Sequence, residues 1–178
     1  MSGMPPVEEQ IAALYREHGH RVLGYLARRV QPVEDAADLL SETMLITWRR
    51  RADLPVSPHD VPWLFGVARN VLANHRRSTT RRHTATAHLA SLLTERTQPS
   101  AGGHVDAGLD ARRALGQLSE VDREIVTLIA WDGLTSAEVS MVLNLPSATV
   151  RTRLARSRRR LRQLMSDYAP EEDPARMV

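Results

Sequence analysis

Arg151, Arg153, Arg156, Arg158, Arg159, Arg160 and Arg162 follow one another near the end of the chain with no acidic residue among them. Guanidinium is planar, permanently charged and grips phosphate through paired N–H donors, so the run suits a nucleic-acid backbone. It is threaded on an apolar stripe. Val150, Leu154, Leu161 and Met165 recur at spacings near three to four residues or their multiples, which predicts a helix with one buried face. Val139, Val142 and Leu143 do the same for a shorter helix before it, and Asn144-Leu145-Pro146 breaks the pattern between the two. Proline suits a helix start, where its missing N–H costs nothing. A short helix, a tight turn and a basic helix form the common device for entering the DNA major groove. Ser147, Thr149, Arg151, Thr152 and Arg153 are then candidates for base edges or nearby phosphates, and Arg156 for the backbone. Neutralising about five phosphates predicts a slope of log affinity against log salt of roughly −4 to −5. The trailing Arg158, Arg159 and Arg160 suit a protein partner or solvated surface equally well.

The elements that position these residues belong to a chain of 178 residues, enough for one domain or two small ones, with 42% hydrophobic residues. The net charge is only +3, yet the pI is about 10.1, and all 24 cations of the Lys+Arg count are arginine. A GC-rich genome produces the same bias, so composition alone does not establish nucleic-acid binding. The absence of cysteine rules out a disulfide framework and a thiolate zinc site, and fits a reducing compartment. The seven histidines show no HExxH spacing, and no Ser/His/Asp set, P-loop or dinucleotide motif appears. These absences speak against an enzyme and against a cofactor or metal. The N-terminal stretch lacks a secretory signal pattern and no apolar run approaches membrane-spanning length, so a cytoplasmic protein without membrane insertion is expected.

Periodicity predicts an all-α fold. A first helix runs over residues 8–30, with an interruption near Gly19. An acidic helix follows over 34–49, where Asp35, Asp38 and Glu42 share one face at spacings of three and four. Capping by the helix dipole explains part of that clustering. Trp48 in this helix reads as a core anchor. Three prolines mark residues 52–62 as an ordered loop. A helix from Trp63 to about Arg77 carries Arg69, Asn70, Asn74, His75, Arg76 and Arg77, donors and charges that can line one side of a helix and track a nucleic-acid strand. Ser57, His59 and Asp60 of the loop are weaker candidates for a base pocket, and Trp63 and Phe65 suit core packing at least as well as stacking. Residues 83–108 read as a flexible linker that leaves the two units free of one another, although 88–96 has some helical character. Helices over 111–118 and 119–131, with Ser119 as N-cap, complete the second unit. The division expected is 1–82, the linker 83–108, a helix-turn-helix unit over 109–166, and an acidic tail 167–178.

Four stretches, in this order, resemble the small two-domain sigma factors of bacteria, the extracytoplasmic-function (ECF) group. They are Tyr15-Arg16-Glu17-His18 through Val30, and Asp35-Ala36-Ala37-Asp38-Leu39-Leu40-Ser41-Glu42-Thr43 with Trp48-Arg49-Arg50. The third is Pro62-Trp63-Leu64-Phe65-Gly66-Val67-Ala68-Arg69-Asn70 with Arg76-Arg77. The fourth joins Leu118-Ser119, Arg123-Glu124-Ile125-Val126 and Gly133-Leu134-Thr135 to the stretch from Pro146 to Leu154. Ala37, Met44, Ser140 and Ala148 depart from the family's usual glutamate, aromatic, small apolar residue and glycine.

The resemblance implies a transcription initiation factor with core RNA polymerase (β′ and β subunits), promoter DNA and an anti-sigma protein as partners. Asp35, Asp38 and Glu42 would face a β′ coiled coil. The set from Arg69 to Arg77 would capture the minus-ten element as a single strand, and Ser147, Thr149, Arg151, Thr152, Arg153 and Arg156 would read the minus-thirty-five element as duplex. Two rival readings from the residues alone are a stand-alone helix-turn-helix regulator binding an operator as a dimer, and a helical adaptor whose basic ends bind RNA or acidic proteins.

Overall fold

The computed structural model describes residues 6–90 and 106–167, and all its regular elements there are helices. In chain order they are α1 (Val7–Ala27), α2 (Asp35–Arg49), a single 3-10 turn (Arg51–Asp53), α3 (Asp60–Ala90), α4 (Asp106–Gly116), α5 (Glu120–Ala130), α6 (Ser136–Leu143) and α7 (Ser147–Asp167). The helices α1, α2 and α3 pack on one another as a first unit, and α4, α5 and α6 gather on α7 as a second.

Helix α1 is continuous through Gly19, where the sequence suggested a break. Gly19 is buried on the inner face, and a side chain there would meet the Tyr15 ring at 3.7 Å. Its other inward residues, Leu14, Val22, Tyr25 and Leu26, meet Leu64, Phe65, Ala68 and Val71 of α3, with the Tyr25 and Phe65 rings edge to face at 5.6 Å. Buried threonines are accommodated on α2 because each hydroxyl is bonded. Thr43 donates to the Leu39 carbonyl at 2.7 Å, and Thr47 shares a 3.1 Å hydrogen bond with Tyr15. Burial pushes the Tyr15 hydroxyl pKa up to about 12, against the opposing Thr47 bond.

The 52–62 loop is shorter than its prolines imply. Helix α3 opens at Asp60, whose carboxylate accepts the Val61 N–H at 2.9 Å. At its other end α3 runs to Ala90, so residues 83–90 of the expected linker are helical, and α4 takes in 106–108. The rest of that linker and the acidic tail beyond Asp167 lie outside the described residues.

Capping explains the second unit's boundaries. Ser119 accepts the Asp122 N–H at the start of α5. Thr135 and Glu138 form a reciprocal capping box that starts α6. Asn144 ends α6 in the left-handed region at φ 51, a conformation asparagine tolerates better than most residues. Along α7 the buried face is Val150, Leu154, Ser157 and Leu164, with Leu161 partly buried. Met165, expected inside, is exposed, because at 3.6 residues per turn the stripe has drifted by one position over four turns.

The two units are not separate bodies here. Helix α6 packs on α3, and one hydrophobic cluster runs from Tyr25, Phe65 and Leu72 into Ile125, Leu128, Val139 and Val142. The linker composition suggested free placement. What closes the units is a set of cross-chain contacts that no local pattern in the sequence announces.

Candidate nucleic-acid interface

Three surfaces carry the residues singled out by the sequence. On α7, Arg151, Thr152 and Arg156 stand exposed, with Arg158, Arg159 and Arg160 further along. Ser147 and Thr149 are half-buried at the helix start, and Arg151 donates to Ser147 Oγ at 2.8 Å across one turn. Arg153 is placed differently. Its guanidinium turns back onto α5 and pairs with Asp122 Oδ1 at 3.0 Å. Some burial pushes Asp122 up, but the Ser119 hydroxyl and Arg153 outweigh it and hold the carboxyl below its usual range.

On α3 the six candidates divide around the helix. Arg69, Arg76 and Arg77 share a cleft of about 380 Å³ with Tyr25, Leu72, Glu124 and Leu145. Arg69 also borders a second cleft of about 510 Å³, together with Asn70, His59 and Trp63, whose far wall is Met141, Leu143 and Asn144 of the α6 end. Asn74 accepts a hydrogen bond from Arg77. His75 lies on the other side of α3, where its Nε2 is 3.5 Å from Asp35 Oδ2. Of the loop candidates, only His59 joins Arg69 and Asn70. Ser57 and Asp60 line a groove against α1 instead. Phe65 is fully buried, and Trp63 is half-buried with the Arg50 guanidinium 5.5 Å from its ring centre.

On α2, Asp38 and Glu42 are exposed on one face, whereas Asp35 is half-buried and drawn toward His75. The expectation that Trp48 anchors the core fails. It is 44% exposed, with Arg51 stacked 5.6 Å from its ring centre, and Leu45 beside it is 48% exposed. Leu39 and the two threonines already fill the inner face of α2, leaving Trp48 no place inside. Asp38, Glu42, Leu45 and Trp48 recur every three to four residues, so acid and apolar groups form a single outward stripe. Leu45 and Trp48 are functional candidates that the sequence reading passed over. The excess of apolar residues in α2, more than one face requires, was the available signal.

Comparison with known proteins accounts for both units. Residues 14–82 match the family model described as Sigma-70 region 2, and residues 109–161 match Sigma-70, region 4. The ECF RNA polymerase sigma factor SigL of Mycobacterium tuberculosis is 30% identical over 159 residues, covering 87% of this chain and 88% of its own. The RNA polymerase sigma factor CarQ of Myxococcus xanthus is 32% identical over 165 residues, covering 89% and 90%. Among solved structures, CnrH in complex with the cytosolic domain of CnrY superposes with a TM-score of 0.62 at 22% identity, over 90% of each chain. RpoE in complex with the anti-sigma factor NepR from Bartonella quintana gives 0.57 at 22% identity, over 85% of this chain and 96% of that one. At those identities the structures speak for the fold.

Proposed function

The chain belongs to the ECF group of RNA polymerase sigma factors, transcription initiation factors that direct core polymerase to promoters, and from that premise we propose how its surfaces divide the work. The α2 stripe of Asp38, Glu42, Leu45 and Trp48 docks on core polymerase. It is the observation that carries the reading, because two large exposed apolar side chains beside two carboxylates make a protein-docking face rather than a merely solvated one. The carboxylates steer the encounter and fix register, and the apolar pair supplies affinity. Asp35 belongs to the same acidic set, its share of the contact lessened by its pairing with His75.

Arg69, Asn70, Arg76 and Arg77, with Asn74 beside them, hold the minus-ten strand, since these exposed cations and amides along α3 form the kind of track that suits single-stranded DNA. His75, on the other side of α3 beside Asp35, lies outside this track. Ser147, Thr149, Arg151 and Thr152 read the minus-thirty-five duplex from the start of α7, Arg156 meets its backbone, and Arg153 reaches it only by leaving Asp122. The chain performs no covalent chemistry of its own and works in the cytoplasm, where polymerase is. Two of the similar solved proteins are described in complex with partners, CnrY and the anti-sigma factor NepR, which supports control of this chain by an anti-sigma protein.

Run-off transcription with core polymerase, over a promoter library, tests the reading. Core plus this chain initiates at a subset of promoters that core alone ignores. Charge reversal at Asp38 and Glu42 weakens core binding with an unchanged circular dichroism spectrum. Failure of the native chain to bind core overturns the proposal.

A further inference from the structure

Asp132 sits in the turn between α5 and α6, where a carboxylate is ordinarily solvated, yet its side chain has no exposure at all. The first unit covers it. Arg28 pairs with Oδ1, and Arg29 Nη2 lies 3.8 Å from Oδ2, an atom without a hydrogen bond. Arg21 donates to the Asp132 main-chain oxygen from Nε at 3.2 Å and from Nη2 at 2.5 Å. The next turn of the same seam continues the pattern. Tyr25 donates its hydroxyl to Glu124 at 3.0 Å, Arg29 donates to Thr127 Oγ1 at 2.7 Å, and Arg29 Nε lies 3.5 Å from Glu124. Two arginines of the first unit, Arg28 and Arg29, thus meet two carboxylates of the second, and a third, Arg21, holds a main-chain oxygen there, all more than ninety positions apart in sequence. A buried ion pair adds little over an apolar contact, but parting it strands a charge, so these pairs tie the two units to one arrangement.

Closing this seam has a geometric consequence. It lays the end of α6 against α3, so that Asn70 and Asn144 line the same cleft of about 510 Å³. The two promoter elements, about 25 base pairs apart, are separated by roughly 85 Å of B-form duplex at 3.4 Å per pair. With Ser147, where the second reader begins, only three residues past Asn144, two units joined at that cleft cannot reach both. The closed chain and a promoter-engaged chain are therefore different conformations.

We propose that Arg21, Arg28 and Arg29 of the first unit and Glu124 and Asp132 of the second form a charged latch that keeps the free chain closed, so that it restrains itself until core polymerase opens it. The proposal rests on the promoter reading given above. Opening exchanges the seam for solvent and the polymerase surface, and the closed population lowers apparent core affinity in proportion to its excess. A latch that holds ten closed molecules for each open one masks affinity about tenfold.

The chain has no cysteine, so exposed Ala13 and Gln163 can be changed to cysteine and labelled with a dye pair without interference. In the full-length chain Arg28→Glu lowers energy transfer between the dyes, and the swap Arg28→Glu with Asp132→Arg restores it. Arg16→Glu, the same charge change outside the seam, does neither. Asp132→Asn is the second opening variant should Arg28→Glu fail to fold by circular dichroism. Folded variants with unchanged transfer overturn the latch. Binding to core polymerase then reads the restraint: Arg28→Glu binds about tenfold tighter than the native sequence, and equal affinity overturns self-restraint. A chain whose dyes report opening but which binds core in neither form supports the latch and overturns the promoter reading.

Discussion

Two groups of arginines in this chain have opposite fates. Those of α7, among them Arg151, Arg156, Arg158, Arg159 and Arg160, stand exposed along a helix whose apolar stripe points the other way. Those at the seam are matched instead: Arg29 is taken out of water, to 8% exposure, and set against Glu124 and Asp132, while Arg28, still 35% exposed, pairs with Asp132. The side chain is the same. What differs is whether the fold brings a carboxylate to it across the chain. A guanidinium matched inside the fold is spent on choosing a conformation, and one left outside keeps its donors for phosphate. Arg153 falls between the groups, since it stands on the helix proposed to read the duplex yet pairs with Asp122.

The largest effect should come from the matched group. Arg29→Met keeps the apolar stem but leaves Glu124 and Asp132 in the seam without that cation. Stranding a buried charge costs about 3 kcal/mol while the seam stays closed. Urea denaturation of the variant should separate into two transitions, one for each unit, where the native chain unfolds in one. A single unchanged transition would break the contrast between the two groups.

The exposed group should respond to salt instead. Arg151→Ala and Arg156→Ala are each expected to flatten the slope of log duplex affinity against log salt by about 0.9, one phosphate contact apiece. Arg28→Ala should leave that slope unchanged. Fluorescence anisotropy on duplex DNA across a salt series checks both halves of the comparison.

Most of the fold was legible because it is written in local patterns. Helical periodicity placed α6 and α7, the cap at Ser119 placed the start of α5, and the order of acidic and basic helices pointed to the family. The seam was not legible. Arg21, Arg28, Arg29, Glu124 and Asp132 look like ordinary surface charges until two helices about a hundred residues apart are brought together. The misjudgement of Trp48 has a related cause. Periodicity says that α2 has too many apolar residues for one face, but not which of them the threonines will displace to the outside. Of the candidate site, residue types were legible and sidedness only in part, as the parting of His75 from Arg69 and Arg76 around α3 illustrates.

A smaller effect separates the second unit's own stability from the seam. Ser119→Ala removes the cap that accepts the Asp122 N–H, at a cost of about 1 kcal/mol. Thermal melting should show this loss equally in the native background and in Arg28→Glu, because the cap does not touch the first unit.

The smallest effect decides where Arg153 belongs. Asp122 carries a depressed pKa in the folded chain, the Ser119 and Arg153 contacts outweighing its partial burial. A carboxylate whose pKa is lower when folded contributes stability that is present above its unfolded value of 3.8 and is lost as pH falls through the folded value. Removing the Arg153 charge with Arg153→Gln should therefore lower stability by about 0.5 kcal/mol near neutrality, where the contribution is fully present, start acid unfolding at a higher pH, and leave no difference once pH is below the folded value. Circular dichroism at 222 nm during acid titration measures it. Coincident acid curves would mean that the Asp122 pairing is not held in solution, which returns Arg153 to the exposed group with its donors free for the duplex. A shifted curve keeps it among the arginines matched inside the fold, and duplex binding by Arg153→Gln should then fall less than by Arg151→Ala.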